Sequence, residues 1–402
     1  MRSVSLGLVV MTLVGCGGSY GRASSESDAT AAQPASAGGA PTDAPAADSV
    51  NPLAPPAPAE KSADAPSAAR DSASVEGAPS PVAPSAVAPS SVDAGPVMKA
   101  MPERPAPGQL TAGVWDDNLN YGFFGPYASA FRQRDADHDL FGTGEMAKAR
   151  DAALATHGAR GELDVQLVLD TTGSMGDELR YLQSEFDSIA ATVSRKFPNL
   201  APRWSLVLYR DQGDDYVTRQ FDFTADTARF RADLRAQSAG GGGDFPEAVV
   251  AAWQQGLRQS WRSDAKVAKI AFWVADAPAH PGEGKQLAKL VRDASVRGVH
   301  VYPIASSGID ETAEYQMRAT AQRTGGRYVF LTDDSGIGGS HAEPHIPCYA
   351  VQKLDTTIVR MIETELTGQH VRAAAADIVR AVGNPRPDGT CQLRNKTLVA
   401  SY

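Results

Sequence analysis

Residues 163–178 read LDVQLVLDTTGSMGDE, and this stretch decides the fold. Val165 to Leu169 is a short apolar run with β-branched residues, bounded by Gly161 and Gly173, and it predicts a buried strand. Asp170 ends the run, and the acidic residues that follow predict the start of a helix. Because ligands bind at the carboxyl ends of the strands in an open α/β sheet, Asp170 is a candidate site residue.

Asp170, Thr172 and Ser174 place one carboxylate and two hydroxyls close together in a tight turn. Hard cations such as Mg²⁺ prefer oxygen ligands of this kind. The same residues also suit an ordinary helix N-terminus, because Ser and Thr cap helices and acidic residues follow them. The turn by itself leaves both interpretations open.

The DTTGSM motif at residues 170–175 resembles the opening of the metal-ion-dependent adhesion site of von Willebrand factor type A domains. In that family Asp-x-Ser/Thr-x-Ser begins the metal cradle. The resemblance covers about residues 162–335. It implies a doubly wound α/β fold, a divalent cation and a role in protein binding, and it implies two further metal loops.

Asp276 matches one of those loops, because it follows the apolar run that ends with Val274 and Ala275. In the family this aspartate usually holds a water bound to the metal. It could instead cap the helix that follows. A charge at the end of so apolar a strand favours a site at the carboxyl edge of the sheet, where Asp170 is also expected.

The other loop departs from the family pattern. It usually carries a threonine after a Gly-Gly turn, but residues 239–247 read AGGGGDFPE. This form resembles a subgroup of type A domains that also carries Arg-Asp-x-Gly-Asp, found here at residues 210–214. Asp244 is the candidate for the missing ligand, whereas Asp211 and Asp214 suit either a negative rim or a hydrogen-bonded turn.

The charge at Asp244 bears on the choice of metal and partner. Like charges about 4 Å apart cost about 4 kcal/mol at an effective dielectric constant of about 20, so a third carboxylate would weaken binding of an acidic ligand. We expect Mg²⁺ before Ca²⁺ at this site, with Ca²⁺ favoured if Asp244 binds the metal directly. The expected partner is a protein that offers a carboxylate or another oxygen ligand.

The rest of the central region alternates between strand and helix patterns, which predicts a mostly parallel sheet covered on both faces. The fold class is therefore α/β, with a doubly wound sheet flanked by helices. Strands are predicted at 204–209, 216–223, 267–274, 300–304 and 327–331. Helices are predicted from near Asp177 and Glu178 onward and at 227–237, 247–258, 284–296 and 312–323.

The N-terminus resembles a bacterial lipoprotein signal. Residues 1–15 hold a short apolar stretch, and Leu13-Val14-Gly15-Cys16 resembles a lipobox whose cysteine is lipidated. An ordinary secretory signal is the alternative, and both export the chain. Residues 16–108 are rich in Ala, Pro and Ser and predict a disordered tether. We expect a lipid-anchored envelope protein, on the outer membrane of a Gram-negative bacterium.

Segments on either side of the main domain complete the expected organisation. Residues 109–160 are rich in aromatic side chains and are expected to pack on the main domain at 161–336. Residues 337–402 predict a helical extension, with an amphipathic helix at 351–366 and an Ala-rich helix after it. Because export leads to an oxidising compartment, a disulfide between Cys348 and Cys391 is expected.

The net charge of the chain and the absence of catalytic motifs argue against some classes of function. The net charge of −9 over 402 residues argues against nucleic acid or an anionic membrane surface as the partner, so only a lipid anchor would contact the membrane. We expect no enzyme, since no Ser-His-Asp or His-Glu-x-x-His pattern occurs. The alternatives are a metal-dependent hydrolase with His280 as its base and a passive structural protein of the envelope.

Two other metal motifs are incomplete. Residues 135–139 read DADHD, but Leu140 stands where a calcium loop needs glycine and Met146 where it needs glutamate. His341, His345 and Cys348 have zinc-like spacing without a recognisable fourth ligand. We expect neither a calcium loop nor a zinc site there.

Overall fold

The apolar runs form strands, nine of which in the described residues belong to one large sheet. The computed structural model describes residues 109–154, 158–243 and 245–401 of the chain. Within those ranges the strands are β1 (Thr111–Trp115), β2 (Glu162–Asp170), β3 (Pro202–Tyr209), β4 (Thr218–Thr224), β5 (Val267–Ala275), β6 (Val299–Ala305), β7 (Tyr328–Thr332), β8 (Tyr349–Lys353), β9 (Arg380–Val382), β10 (Thr390–Gln392) and β11 (Leu398–Ala400).

Segments with helical periodicity form the helices. Leu179, Leu182, Phe186 and Ile189 recur on one face of such a segment, and all four are buried. The helices of the described ranges are α1 (Tyr121–Arg134), α2 (Thr143–Ala153), α3 (Gly176–Lys196), α4 (Thr227–Arg235), α5 (Val249–Arg258), α6 (Gly284–Val296), α7 (Glu311–Thr324) and α8 (Leu354–Thr367).

The strands β2, β3, β5, β6 and β7 are parallel, and they form the centre of a mixed sheet. In the described part of the chain its order is β4-β3-β2-β5-β6-β7-β1-β8-β9. β4 is an antiparallel edge strand beside β3, and β10 and β11 form a separate hairpin. The predicted doubly wound, mostly parallel α/β fold is confirmed.

Helices cover both faces of the sheet. Side chains of α1, α2, α5, α6 and α7 share one apolar core with one face of the strands. Side chains of α3, α4 and α8 share a second core with the opposite face. Successive residues of β2 divide between these cores, as the two-residue period of a strand requires, so β2 is buried on both faces.

The sheet extends further than the sequence patterns indicate. Residues 327–331 were expected to form the last strand, but β1 pairs antiparallel with the corresponding strand β7, and β8 pairs with β1. The aromatic-rich segment 109–160 thus contributes a strand to the interior of the sheet. The helix predicted at 351–366 begins at Leu354, because the preceding five residues form β8.

The prediction of a helical C-terminal extension is wrong beyond Thr367. The Ala-rich stretch forms a single short turn at Ala375–Asp377, followed by β9, β10 and β11. Four consecutive alanines are too few to offset the cost of starting a helix, whereas pairing of β9 with β8 satisfies backbone groups at once. A disulfide joins Cys348 to Cys391 of β10.

Three predictions about the N-terminal segment lie outside this part of the chain. The signal at residues 1–15, Cys16 and the tether at 16–108 all lie outside the described residues. No helix in the described ranges is both long and apolar enough to cross a lipid bilayer.

Candidate metal centre

Asp170 and Asp276 lie side by side at the carboxyl edge of the sheet. Asp170 is the last residue of β2, and Asp276 directly follows β5. The two strands are parallel neighbours, with Leu169 opposite Val274. Asp170 is 1% exposed and Asp276 is 3% exposed. The ends of adjacent parallel strands therefore bring both buried carboxylates to one rim.

Hydrogen bonds link Asp170 to the hydroxyls of Thr172 and Ser174. The Thr172 amide and hydroxyl both donate to Oδ1 of Asp170, at 2.9 and 2.7 Å. The hydroxyl oxygens of Thr172 and Ser174 are 3.3 Å apart, and Ser174 lines the same cleft as Asp276. The structure thus brings four of the five predicted metal residues together.

The fifth predicted residue, Asp244, lies outside the described residues. The glycines before it are in place beside the first metal loop. The amide of Gly240 donates to the carbonyl oxygen of Thr171 at 3.0 Å, and the amide of Gly173 donates to that of Gly241 at 3.1 Å. Two of the three predicted loops are therefore joined by backbone hydrogen bonds.

The Arg-Asp-x-Gly-Asp segment at residues 210–214 holds the glycine loop through hydrogen bonds. Both carboxylate oxygens of Asp214 accept a hydrogen bond from the Gly242 amide at 3.0 Å, and one of them also accepts from the Asp211 amide at 3.2 Å. Arg210 donates to the carbonyl oxygen of Ser238 at 2.9 Å. Of the two interpretations left open for this segment, these contacts favour the hydrogen-bonded turn.

Glu247 is a residue of this rim to which the sequence patterns gave no role. Its amide donates to the carbonyl oxygen of Pro278 at 3.0 Å, two residues beyond Asp276. The residue is 3% exposed and lines the cleft. The sequence signal was a glutamate that directly follows Pro246, after the glycine run. The loop to which it is hydrogen-bonded, at Pro278, is distant along the chain.

Burial makes the rim unfavourable for negative charge. Burial, and after it the charge of Asp276, raise the pKa of Asp170 to about 7, although Thr172 donates to this carboxylate. Burial also raises the pKa of Asp276. Burial and the charge of Asp170 are the two largest causes that raise the pKa of Glu247 to about 9. A bound cation would reverse this preference.

The residues fit a divalent cation. Oδ2 of Asp170 is buried and has no hydrogen-bond partner among the described residues, and a cation would supply one. Within 109–154, 158–243 and 245–401, no three His, Cys, Asp or Glu side chains are grouped so as to hold a metal by themselves. An ion at this rim would therefore depend on the hydroxyls of Thr172 and Ser174 as well.

The rim opens into a cleft of about 420 Å³. Thr172, Ser174, Glu247 and Asp276 contribute side chains to it, between the glycine loop and residues 307–308. Phe245 lines the same cleft and is 49% exposed. The site therefore combines buried carboxylates with an exposed aromatic side chain.

His280, the base required by the hydrolase alternative, is held elsewhere by Asp211. Its Nε2 atom lies 2.6 Å from Oδ1 of that aspartate. No histidine is found among the described residues that line the cleft. The incomplete zinc motif is also engaged in other contacts, because Cys348 is in the disulfide and Nδ1 of His341 lies 2.9 Å from Oδ1 of Asp333.

Comparisons with known proteins agree with this fold. The family model of the von Willebrand factor A domain matches residues 164–339. An ariadne-like RING finger protein of Acanthamoeba polyphaga mimivirus is 27% identical over 187 residues, which are 42% of this chain and 18% of that protein. The chain thus spans less than a fifth of the length of this curated relative.

Two solved structures are also similar. Protein BatB of Bacteroides thetaiotaomicron is 12% identical, with a TM-score of 0.35, over 51% of this chain and 98% of that one. The pilus adhesin SpaC of Lactobacillus rhamnosus GG, in its open conformation, is 10% identical, with a TM-score of 0.33, over 41% of this chain and 28% of that one. 

The match to the family model also concerns the prediction that the chain is not an enzyme. Type A domains typically serve in interactions rather than as enzymes, as the sequence predicts for this chain. Residues 164–339 therefore match the von Willebrand factor A domain, the kind of α/β domain that the DTTGSM motif indicates.

Proposed function

We propose that this chain is an exported, lipid-anchored protein that binds another protein through a divalent cation. Asp170, Thr172, Ser174 and Asp276 would hold the ion, Mg²⁺ before Ca²⁺, and Asp244 is a further candidate ligand. The partner would complete the coordination with an oxygen from a carboxylate or another group. The ion's chemistry here is to attract and orient that oxygen.

The observation that carries this proposal is the unpaired oxygen of Asp170. Oδ2 is buried and has no hydrogen-bond partner in the described part of the chain, while Oδ1 accepts two hydrogen bonds from Thr172. Burying a carboxylate oxygen without a partner costs free energy that a bound cation would offset. The row of oxygens from Asp170 to Asp276 provides further ligands for such an ion.

The surroundings of the rim support a protein as the partner. Aromatic side chains are enriched at the cores of protein interfaces, and Phe245 is exposed beside the cleft. The domain type supports the same conclusion, since type A domains typically serve in interactions. The partner would therefore contact the cation and this aromatic side chain together.

The sequence supports a location at the cell envelope. Leu13-Val14-Gly15-Cys16 suits lipidation of Cys16, and residues 16–108 would separate the domain from the membrane. The proposed location is the outer membrane of a Gram-negative bacterium. Labelling with a radioactive fatty acid tests this part directly, because Cys16→Ser should abolish incorporation of label.

A pull-down with the lipid-free chain from residue 17 tests the binding function. The bait is used with Mg²⁺ and with EDTA, as the wild type, as Asp170→Ala and as Asp151→Ala. Asp151 is an exposed acid of α2, so its variant is a matched control. We expect a partner that is retained in Mg²⁺ by the wild type and by Asp151→Ala and released by EDTA.

The Asp170→Ala bait should retain none of that partner. Retention that is unaffected by both EDTA and the Asp170→Ala substitution would contradict metal-dependent binding. Recovery of no partner, with a melting temperature that does not change on chelation, would favour a passive structural role in the envelope.

A further inference from the structure

A cavity of about 280 Å³, the α3–α8 cavity, lies between the helices α3 and α8. The C-terminal half of α3, the strand β8, the helix α8 and the segment that follows α8 all line it. Most of its described lining residues lie beyond residue 339, where the match to the family model ends. None of them lines the metal cleft. The cavity is therefore separate from the candidate metal centre.

Gln352 of β8 lines this cavity and carries a buried amide group that lacks hydrogen-bond partners. The residue is 1% exposed, and neither Oε1 nor Nε2 has a partner among the residues that the structure describes. Its neighbour Val351 packs in the core on the other face of the sheet, so Gln352 is directed toward α3 and α8. Buried polar groups are normally hydrogen-bonded, and an apolar side chain would avoid the cost of burying this amide. A structural role therefore does not explain a glutamine at this position.

The amide of Gln352 complements one residue of an extended peptide. Nε2 donates and Oε1 accepts at the same end of the planar amide. The N–H and C=O groups of one extended residue also point to one side, which is how two antiparallel strands exchange a pair of hydrogen bonds. A carboxylate would satisfy only the donor of Gln352, and an ammonium group only the acceptor. The chemistry of Gln352 therefore favours a peptide backbone as the ligand.

Two arginines bring positive charge to the cavity. Arg360 of α8 is 4% exposed, and its Nη1 atom donates to the carbonyl oxygen of Val371 at 3.3 Å. Nη1 of Arg372 donates to the carbonyl oxygen of Pro387 at 3.1 Å. Backbone carbonyls beyond α8 thus orient both guanidinium groups, and both arginines line the cavity. Guanidinium groups of this kind bind carboxylates through two parallel hydrogen bonds.

His370, which precedes a lining residue of the cavity, shows the sign of the local potential. Partial burial of its ring, and after it the charges of Arg327, Arg360 and Arg372, lower the pKa of His370 to about 3. Surroundings that oppose a further positive charge favour a negative one. This part of the cavity therefore favours an anionic group of a ligand.

The acids of the cavity do not cancel this preference. Nζ of Lys196 lies 2.8 Å from Oε2 of Glu363, so these two charges are paired. Asp355 accepts hydrogen bonds from the amide and the hydroxyl of Thr356. Asp377 is exposed, where solvent and salt screen its charge. A carboxylate bound at the arginines would therefore meet little repulsion from these acids.

We propose that the α3–α8 cavity binds the C-terminal end of a short peptide. Gln352 would pair with the N–H and C=O groups of one residue, while Arg360 and Arg372 would bind the free carboxylate. A volume of about 280 Å³ is at the lower limit of ligand sites and suits about two or three small residues. The site needs no cation, so it goes beyond the metal-dependent binding proposed above.

Calorimetric titration of trialanine and of its C-terminal amide, both in EDTA, tests this site. The proteins are the full chain, Gln352→Leu, Arg372→Gln and Gln369→Leu, the last a matched control because Gln369 is exposed just after α8. The wild type and Gln369→Leu should bind trialanine at least about tenfold more tightly than the amide, because only trialanine carries the carboxylate. Arg372→Gln should lose most of this preference.

Gln352→Leu should bind trialanine at least about tenfold more weakly than the wild type. Without peptide it should melt higher than the wild type, because the substitution removes a buried amide that lacks partners. A lower melting temperature of Gln352→Leu would show that the amide is structural and would overturn the proposal. Undiminished binding of trialanine by Gln352→Leu would overturn it too, as would equal affinity of the wild type for the two peptides or binding of neither.

Discussion

Thr172 donates two hydrogen bonds to one oxygen of Asp170, from its amide at 2.9 Å and from its hydroxyl at 2.7 Å. The other oxygen of that carboxylate has no hydrogen-bond partner within the described ranges. The turn after β2 therefore fixes the orientation of the carboxylate through Oδ1 and leaves Oδ2 directed elsewhere. A buried acid held in this way destabilises the metal-free protein and favours an ion.

The metal-free protein should lose stability as the pH rises from about 4 to about 7. Asp170 has a raised pKa of about 7 in the folded protein and an ordinary value of 3.8, so the folded state holds a proton that the unfolded state releases in this window. One such group lowers the free energy of unfolding by at most about 1.4 kcal/mol per pH unit. Thermal unfolding in EDTA across this range measures the effect.

Asp170→Asn is the control for that pH dependence. It should melt higher than the wild type in EDTA at pH 8, and its stability should fall less steeply between pH 4 and 7. Glu247 contributes in the same direction, toward its own raised pKa of about 9, so a residual slope is expected. Identical pH profiles for the two proteins would show that Asp170 has an ordinary pKa.

Gly241→Ala should damage the site without altering any proposed ligand. Gly241 has a φ of +76°, and a methyl group there would clash with the Asp214 carboxylate, which accepts from the Gly242 amide. The substitution should cost more than about 1 kcal/mol of stability and weaken Mg²⁺ binding. Urea unfolding and calorimetry measure the two effects.

Gly161→Ala is the matched control for this substitution. Among the described residues, nothing lies within 4 Å of a methyl group at Gly161, and its φ is not in the left-handed region. Its stability and metal affinity should equal those of the wild type. Unchanged metal binding in Gly241→Ala would mean that the glycine loop does not shape the site.

Glu365 lies at the end of the sheet opposite the metal rim, and it should make the stability of the domain sensitive to acid. Burial opposes its ionisation, but His300, Tyr302 and Arg327 hold its pKa at about 2, below the ordinary 4.5. Because the folded pKa is depressed, this stabilisation is present above pH 4.5 and is lost as the pH falls toward 2. Removing one partner of such a buried pair costs about 3–5 kcal/mol.

Glu365→Gln should therefore be less stable than the wild type at pH 7, and its stability should fall less steeply as the pH drops toward 2. Urea unfolding between pH 2 and 7 measures both effects. The Mg²⁺ affinity of the variant should not change. His300 bonds to Glu365 near the amino end of β6, whereas the metal rim lies at the carboxyl ends of the strands. A loss of metal affinity in this variant would contradict the separation of the two clusters.

The disulfide should stabilise the C-terminal strands. It joins Cys348 to Cys391 across 43 residues, and Asn120 exchanges two hydrogen bonds with Ala400 in the hairpin that contains Cys391. Replacing both cysteines by serine should cost about 2–4 kcal/mol. Urea unfolding with and without reductant measures this cost, and a midpoint that reductant leaves unchanged in the wild type would contradict it.

Local patterns were sufficient to predict the parallel part of the fold. Each of these strands is an apolar run bounded by turn residues, and the helix at Gly284–Val296 was predicted with its observed bounds. The candidate metal residues Asp170 and Asp276 stood out for the same reason, since a charge directly after such a run is conspicuous. Topology then brings the two strand ends together.

The parts that sequence reasoning missed depend on distant pairings. β1 is only five residues long and becomes a strand by pairing with Thr332 and its neighbours, more than 200 positions away. The C-terminal strands pair with elements that were themselves assigned to helix or loop. Glu247 was overlooked because its place in the cleft depends on the hydrogen bond to Pro278, which no local pattern indicates.

Calorimetric titration of Mg²⁺ and Ca²⁺ into the full chain and into Asp170→Ala tests the central claim most directly. The wild type should bind one ion and Asp170→Ala should bind none, while the circular dichroism spectrum and cooperative unfolding of Asp170→Ala match those of the wild type. Undiminished uptake of either ion by the folded Asp170→Ala protein would contradict this claim.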